Sequence, residues 1–130
     1  MSERDRIDLL LGSDIGAWIV GFVDPARVGT VVTRDASVAR AAAARGMPVA
    51  AGMDGFAPAA VALSAHWPAV LTEHDLARWD AAWNLHPGLL PWGRGYGPVF
   101  WALWAGEPAG ATLHVMTSGL DKGAIVDQVA

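Results

Sequence analysis

Three residues stand out for chemistry before any fold is considered. An Asn and a His lie two positions apart in Asn84-Leu85-His86, and an Asp stands at 121 in the glycine-flanked stretch SGLDKG. An Asn amide and an imidazolium both donate hydrogen bonds, and two donors aimed at one point are what a tetrahedral oxyanion requires. On a strand, an i, i+2 spacing puts both on one face. The residues that follow, PGLLPWGRG, hold two prolines and three glycines that restrict and shape the loop. If the Asp121 turn folds over His86, its carboxylate raises the His pKa by opposite charge and takes a proton, directly or through water. An Asn and a His at a strand end also serve simply to satisfy backbone groups, and an Asp in a Gly-rich turn is a common turn former. Spacing alone leaves both roles open.

Other constellations are thinner. Gly12-Ser13-Asp14-Ile15-Gly16 resembles part of a phosphate loop but lacks G-x-G-x-x-G and the P-loop lysine. A helix N-terminus there still offers an anion site, although a capped turn is the simpler reading. His66 and His74 show no metal-ligand spacing, and His74 reads as a solvated helix residue. His114 alternates with Thr112 and Met116 on a strand, as a core histidine or one facing the site. No G-x-S-x-G supports a serine nucleophile. Seven tryptophans are many for this length. Most read as core filling, whereas Trp67 and Trp92 fall in loops and are candidates to face a flat ligand.

The elements that must position these groups follow from local pattern. Ile7 to Leu11 reads as a strand, and Ile15 to Val23, apolar almost throughout, as a buried helix. Val28 to Thr33 is β-branched and reads as the second strand. Ser37 is placed to cap an alanine-rich helix ending near Arg45-Gly46. Pro48 to Ala51 is a short third strand, residues 52–59 a loop, and Ala60 to Ser64 a fourth buried strand. Thr72 caps a helix over 73–79. Ala81 to Leu85 is a fifth strand delivering Asn84 and His86 at its C-terminal end. Pro98 suits the first turn of a helix to Ala105. Ala111 to Met116 and Ile125 to Gln128 pair as a hairpin across GLDKG. Strands alternating with helices predict an α/β, Rossmann-like three-layer sandwich with a mostly parallel central sheet. Ligands of such folds sit beyond the C-terminal strand ends, where His86 and the loop after Ser64 are expected.

Composition bounds the rest. The 130 residues suit one domain, and with 53% hydrophobic and 17% charged residues the chain is globular. No apolar run is long enough for a bilayer, which argues against a membrane partner. A Ser, an Asp and two glycines break the early apolar run, so no signal peptide is read. Cysteine is absent, which excludes disulfides and thiolate metal sites and points to the cytoplasm. The net charge is −4 and the nine basic residues are scattered, which argues against nucleic acid as the main partner.

The stretch from Asn84 to Gln128 resembles the signature half of the formyltetrahydrofolate-dependent formyltransferases. The resemblance rests on Asn84, His86, Leu89, Leu90, Pro91, Gly95 and Asp121, with Gly119 and Gly123 around the Asp. It is strong over about residues 60–128 and weaker over 6–50. Glycine at 88 stands where the family usually has Ser. The resemblance implies the formyltransferase fold and 10-formyltetrahydrofolate as co-substrate. It implies that Asn84 and protonated His86 stabilise the oxyanion formed when an amine attacks the formyl carbon. Asp121 would keep His86 charged and help remove the amine proton. It places folate between the loop after the fourth strand (Ser64, Ala65, His66, Trp67, Leu71) and the turn Thr117, Ser118, Gly119, Leu120, both loops meeting at the strand ends. Substrate-side candidates are Gly12, Ser13, Arg94, Gly95 and His114. Family catalytic domains are usually longer, so the resemblance implies a single domain shortened at its C-terminus, with a homodimer as one way to cover the resulting sheet edge.

A small-molecule amine, such as an amino-sugar nucleotide or an amino acid, is the expected acceptor, because the chain is acidic and lacks a basic RNA-binding region. The alternatives are methionyl-tRNA formylation, hydrolysis of formyltetrahydrofolate with water as acceptor, and a non-catalytic folate-binding or scaffolding remnant. The intact Asn84, His86 and Asp121 count against the last.

Overall fold

The computed structural model describes residues 2–90, 104–106, 109–118 and 123–130. The strands are β1 (Ile7–Leu11), β2 (Val28–Val32), β3 (Val49–Ala50), β4 (Val61–Ala65), β5 (Ala81–His86), β6 (Ala111–Val115) and β7 (Ile125–Val129). The helices are α1 (Ser13–Phe22), α2 (Ala36–Ala44) and α3 (Glu73–Leu76). The strands form one sheet in the order β3-β2-β1-β4-β5-β6-β7. Pairing from β3 to β5 is parallel, whereas β5–β6 and β6–β7 are antiparallel. The chain turns from one half of the sheet to the other between β1 and β4, the position at which open parallel sheets hold ligands.

The central strands are apolar on both faces, as strands covered on both sides must be. On one face Leu9, Leu11, Val31 and Ala65 pack against Ile19 and Val20 of α1 and Val38 and Ala42 of α2. On the other, Leu10, Val32, Ala62 and Ala82 pack under Leu71 and Trp79, with Phe56, Trp67 and Leu76 beside them. Each fully buried Leu or Val contributes about 1.5–3 kcal/mol relative to exposure. The Arg45 guanidinium donates to the carbonyls of Val20 and, at 2.7 Å, of Val23. It thereby satisfies free carbonyls at the α1 C-terminus and sets a positive charge at the negative end of that helix.

Two helix expectations are corrected. The segment 15–23 is not buried throughout. Gly16, Ile19 and Val20 are buried, but Ile15, Trp18 and Phe22 are 44%, 66% and 76% exposed. α1 lies in an outer layer, so one side only meets the sheet and α2. The Trp18 and Phe22 rings stack on each other on the open side, centroids 5.4 Å apart. The cap of α2 is Asp35 and not Ser37. One Asp35 carboxylate oxygen accepts from the backbone N–H of Ser37 and Val38 and from the Ser37 hydroxyl. The helix starts two residues earlier than a Ser37 cap allows. Its first free donors therefore fall within reach of Asp35.

Other boundaries shift by a residue or two. β4 runs one residue beyond Ser64, β5 includes His86, and β7 extends to Val129. Thr72 caps α3 through Asp75, but regular helix ends at Leu76. The helix expected from Pro98 lies outside the described residues apart from its end, where 104–105 are helical.

One buried charge was not foreseen. Asp8, fully buried on β1, accepts from the backbone N–H of Thr30 (2.9 Å) and Ala59 (2.8 Å) and from Trp79 Nε1 (2.9 Å). A buried carboxylate is tolerated when donors surround it in this way. This one joins β1 to β2, to the segment before β4 and to the chain after α3. A side chain at Gly29 would place its Cβ 2.5 Å from Asp8 Oδ1, so glycine keeps that space open.

Candidate active site

Parity and pairing build the site. Asn84 pairs in register with Ser64 on β4 and His114 on β6, and His86 pairs with Thr112. Directly paired residues share a face, so Ser64, Asn84, His86, Thr112 and His114 line one side of the sheet. All but Asn84 are buried, and Asn84 is half-buried. The expectation that Asn84 and His86 share a face holds. His114, left open between core and site, takes both roles: it is buried and it faces Asn84.

The Asn84 amide nitrogen lies 3.2 Å from His114 Nε2, and His114 Nδ1 lies 3.0 Å from the Val115 carbonyl. A carbonyl only accepts, so Nδ1 carries the ring hydrogen and Nε2 of the neutral ring accepts from the Asn84 amide. That bond sets which end of the Asn84 amide faces His114. The His86 and His114 rings meet edge to face, centroids 6.5 Å apart.

The loops after β1 and β4 interlock where the strand order reverses. The Gly12 N–H donates to the Ala65 carbonyl at 3.2 Å. Ser13 Oγ lies 2.9 Å from His66 Nδ1. Both Ser13 (φ 58°) and His66 (φ 54°) adopt left-handed backbone, which costs a non-glycine residue of order 1–3 kcal/mol. A Cβ on Gly12 would lie 2.2 Å from the His66 carbonyl oxygen, so only glycine admits this approach. The structure thus joins substrate-side candidates Gly12 and Ser13 to folate-side candidates Ala65 and His66. Trp67 is half-buried beneath the Arg34 guanidinium, 5.3 Å from the ring centroid. Leu71 is buried in the second core cluster.

Asp35 holds its carboxyl below the usual carboxylate range, chiefly through the Ser37 hydroxyl, then the Val38 and Ser37 amides, with a smaller part from the Ser13 amide. An acid of the chain itself therefore stands close to the start of α1, where the sequence suggested an anion.

The two folate-side loops leave the sheet at different ends. β6 runs antiparallel, with Val115 opposite Trp83 and the Met116 N–H donating to the Ala82 carbonyl. Thr117 and Ser118 therefore leave the sheet at the end where β5 begins, whereas His66 and Trp67 leave where β4 finishes. What lies between them is the sheet face carrying Ala62, Ser64, Ala82, Asn84 and His114, with Trp67 and Met116 packed at the second core cluster. Arg94, Gly95, Gly119, Leu120, Asp121 and Trp92 lie outside the described residues. Among the described residues no cluster of His, Asp and Glu is arranged to hold a metal ion, and no helix is long and apolar enough to cross a membrane.

Sequence reasoning missed Asp8, Thr112 and Gln128. A charged residue inside the apolar run IDLLL was a usable signal for Asp8. Thr112 and Gln128 gave none, since their importance depends on register.

The family model described as formyl transferase matches residues 26–130. A methionyl-tRNA formyltransferase of Bifidobacterium animalis subsp. lactis (strain AD011) is 41% identical over 61 residues, which is 45% of this chain and 19% of that relative. The chain thus spans well under two thirds of that protein. Glycinamide ribonucleotide transformylase 1 from Symbiobacterium toebii has a similar fold, with a TM-score of 0.80 at 22% identity over 99% of this chain and 74% of that one. The formyltransferase PseJ from Anoxybacillus kamchatkensis, in complex with UDP-4,6-dideoxy-4-formamido-L-AltNAc and tetrahydrofolate, gives a TM-score of 0.60 at 24% identity over 95% of this chain and 59% of that one.

Proposed function

The chain belongs to the formyl transferase family, and we propose that it moves a formyl group from 10-formyltetrahydrofolate to a primary amine of a small molecule. The observation that carries this reading is the placement of Asn84 and His86 on one face of β5, with the Asn84 amide oriented by His114. With one amide N–H given to His114, the second is left to donate to a ligand. As the amine attacks the formyl carbon, the carbonyl pair moves onto oxygen. Asn84 and protonated His86 donate to that developing charge. The oxyanion then re-forms the carbonyl as the folate nitrogen leaves with the bonding pair and takes up a proton, balancing the one the attacking amine sheds. Asp121 is assigned the removal of the amine proton and the support of the His86 charge. The formyl-folate supplies the one-carbon unit; the chain supplies donors, a proton acceptor and a sheltered face.

Folate as co-substrate is supported by family membership and by PseJ, a protein of similar fold that holds tetrahydrofolate. The half-buried aromatic Trp67, in the loop after β4, suits a flat ring stacked against it. A homodimer through β7 suits the exposed Ile125, Val126 and Val129 of that edge, and sedimentation tests it.

The segment shared with methionyl-tRNA formyltransferase favours a second reading, in which the amine belongs to aminoacyl-tRNA. The net charge of −4 favours the small molecule. The deciding experiment supplies 10-formyltetrahydrofolate with amino-sugar nucleotides, amino acids or methionyl-tRNA, and follows formylated product and free tetrahydrofolate together. Formylated product that disappears in Asn84→Ala supports the reading. Tetrahydrofolate release without formyl-amine means hydrolysis, and binding without either product means a folate-binding module.

A further inference from the structure

We propose that Thr112 and Gln128 are positioning residues that clamp the turn following His86; this rests on the reading of His86 as an oxyanion donor. His86, Thr112 and Gln128 form one row across three strands, His86 opposite Thr112 and Thr112 opposite Gln128. The turn 87–90 folds back over that row. The Thr112 hydroxyl donates to the Gly88 carbonyl at 2.6 Å. It accepts from the Leu90 N–H at 3.1 Å and from Gln128 Nε2 at 2.9 Å. One hydrogen and two lone pairs are thus all engaged. Gln128 Nε2 also donates to the Leu90 carbonyl at 2.8 Å, so both of its hydrogens are used. A flipped amide would set oxygen against the Leu90 carbonyl, acceptor against acceptor, which fixes the orientation.

The clamp grips the turn at three backbone atoms: the carbonyl of Gly88, and the N–H and carbonyl of Leu90. Gly88, Leu90 and Thr112 are buried, so any of these groups left unpaired carries its full desolvation cost. Gln128 reaches this cluster from an edge strand whose residues are all exposed. Its amide therefore links the open sheet edge to the wall beside His86. A loosened turn leaves the fold intact but lets His86 leave its productive position, and oxyanion donors lose effect within an ångström of misplacement.

The test uses Gln128→Glu, which keeps the shape and replaces a double donor by an acceptor, beside Gln128→Ala and Thr112→Ser. Hydrogen exchange of the Leu90 amide is read by NMR, together with the His86 ring nitrogen shifts, turnover and affinity for a stable formyl-folate analogue. In Gln128→Glu the Leu90 amide exchanges roughly tenfold faster, the scale of one or two neutral hydrogen bonds, while amides of β1 and β4 keep their rates. The His86 shifts move, kcat falls about tenfold, and analogue affinity stays within about twofold. Thr112→Ser, which keeps the hydroxyl, stays close to wild type in all four readings. Unchanged Leu90 exchange overturns the clamp. A uniform rise across the sheet makes Gln128 a merely structural residue, and faster exchange with unmoved His86 shifts and unchanged kcat removes the positioning role. Absence of turnover in the wild-type chain counts against the formyl-transfer reading, and the exchange rates and ring shifts still decide whether the turn holds His86.

Discussion

Asn84 and His114 face each other across the β5–β6 pair, with the Asn84 amide nitrogen 3.2 Å from His114 Nε2. Because the Val115 carbonyl takes the Nδ1 hydrogen, His114 presents a bare Nε2 to Asn84. The amide oxygen is thereby kept from that position, since two acceptors repel. Asn84→Ala is expected to lower kcat by roughly 10²–10³-fold, the scale of losing one oxyanion donor, with folate affinity little changed. His114→Ala should cost less, about tenfold, because the donor survives but is no longer held. As His114 acts through Asn84, the double variant should resemble Asn84→Ala alone. Steady-state kinetics of the four proteins checks this; additive losses would mean that His114 acts on substrate independently.

His86→Ala and Asp121→Asn are each expected to slow turnover by orders of magnitude, again on the scale of roughly 10²-fold or more. Single-turnover formyl transfer separates the chemical step from release. Rates close to wild type in both variants would remove the catalytic reading.

Asp8 takes no part in that chemistry and governs stability. Asp8→Ala leaves the Thr30 and Ala59 amides and the Trp79 indole N–H buried without their acceptor. A loss of about 3 kcal/mol or more is expected, since each orphaned buried donor costs about 1–3 kcal/mol. Asp8→Asn should be milder, because one amide oxygen still accepts. Urea unfolding followed by tryptophan fluorescence reads both, and a change below about 1 kcal/mol in Asp8→Ala would show that water replaces the carboxylate.

Gly12→Ala forces a methyl group against the His66 carbonyl. Overpacking of this kind costs about 1–3 kcal/mol, and here it falls on the junction of the two loops. The expected result is a lower melting temperature together with weaker binding of a formyl-folate analogue by calorimetry. Loss of stability with intact binding would mean that the His66 loop is not part of the ligand site.

Asp35 supplies a pH dependence with a definite sign. Its folded pKa is depressed, chiefly by the Ser37 hydroxyl and then by the Val38 and Ser37 amides. Its contribution is therefore fully present above the unfolded carboxylate value, about 3.9, and is lost as pH falls through the lower folded value. Asp35→Asn should be less stable at neutral pH, and its urea midpoint should fall less steeply below about pH 4. Parallel midpoint curves for the two proteins would contradict this.

Much of the fold is legible locally. The β-branched run at 28–32 and the apolar runs at 7–11 and 61–65 form strands because their side chains suit a surface buried on both sides. Thr72 caps α3 as its place before Glu73 and Asp75 suggests. The shared face of Asn84 and His86 follows from the two-residue period of a strand, a property of the backbone and not of its neighbours. Where competing local partners exist, as with Asp35 and Ser37 at the start of α2, spacing leaves the choice open and helix phase settles it.

Sequence alone thus determined the kinds of element, their order and the pairing of one amide with one imidazole on a strand, because each depends on contacts between near neighbours in the chain. Tertiary structure decided which strands lie side by side, and with that everything depending on register. It set His114 opposite Asn84, put Thr112 and Gln128 beside the turn after His86, and sent Thr117 to the far end of the sheet from His66. It also brought Trp79 to Asp8, 71 residues away in the chain. The physical reason is that strand order and register are settled by burying both faces of one sheet at once, a condition that no short stretch of residues meets by itself.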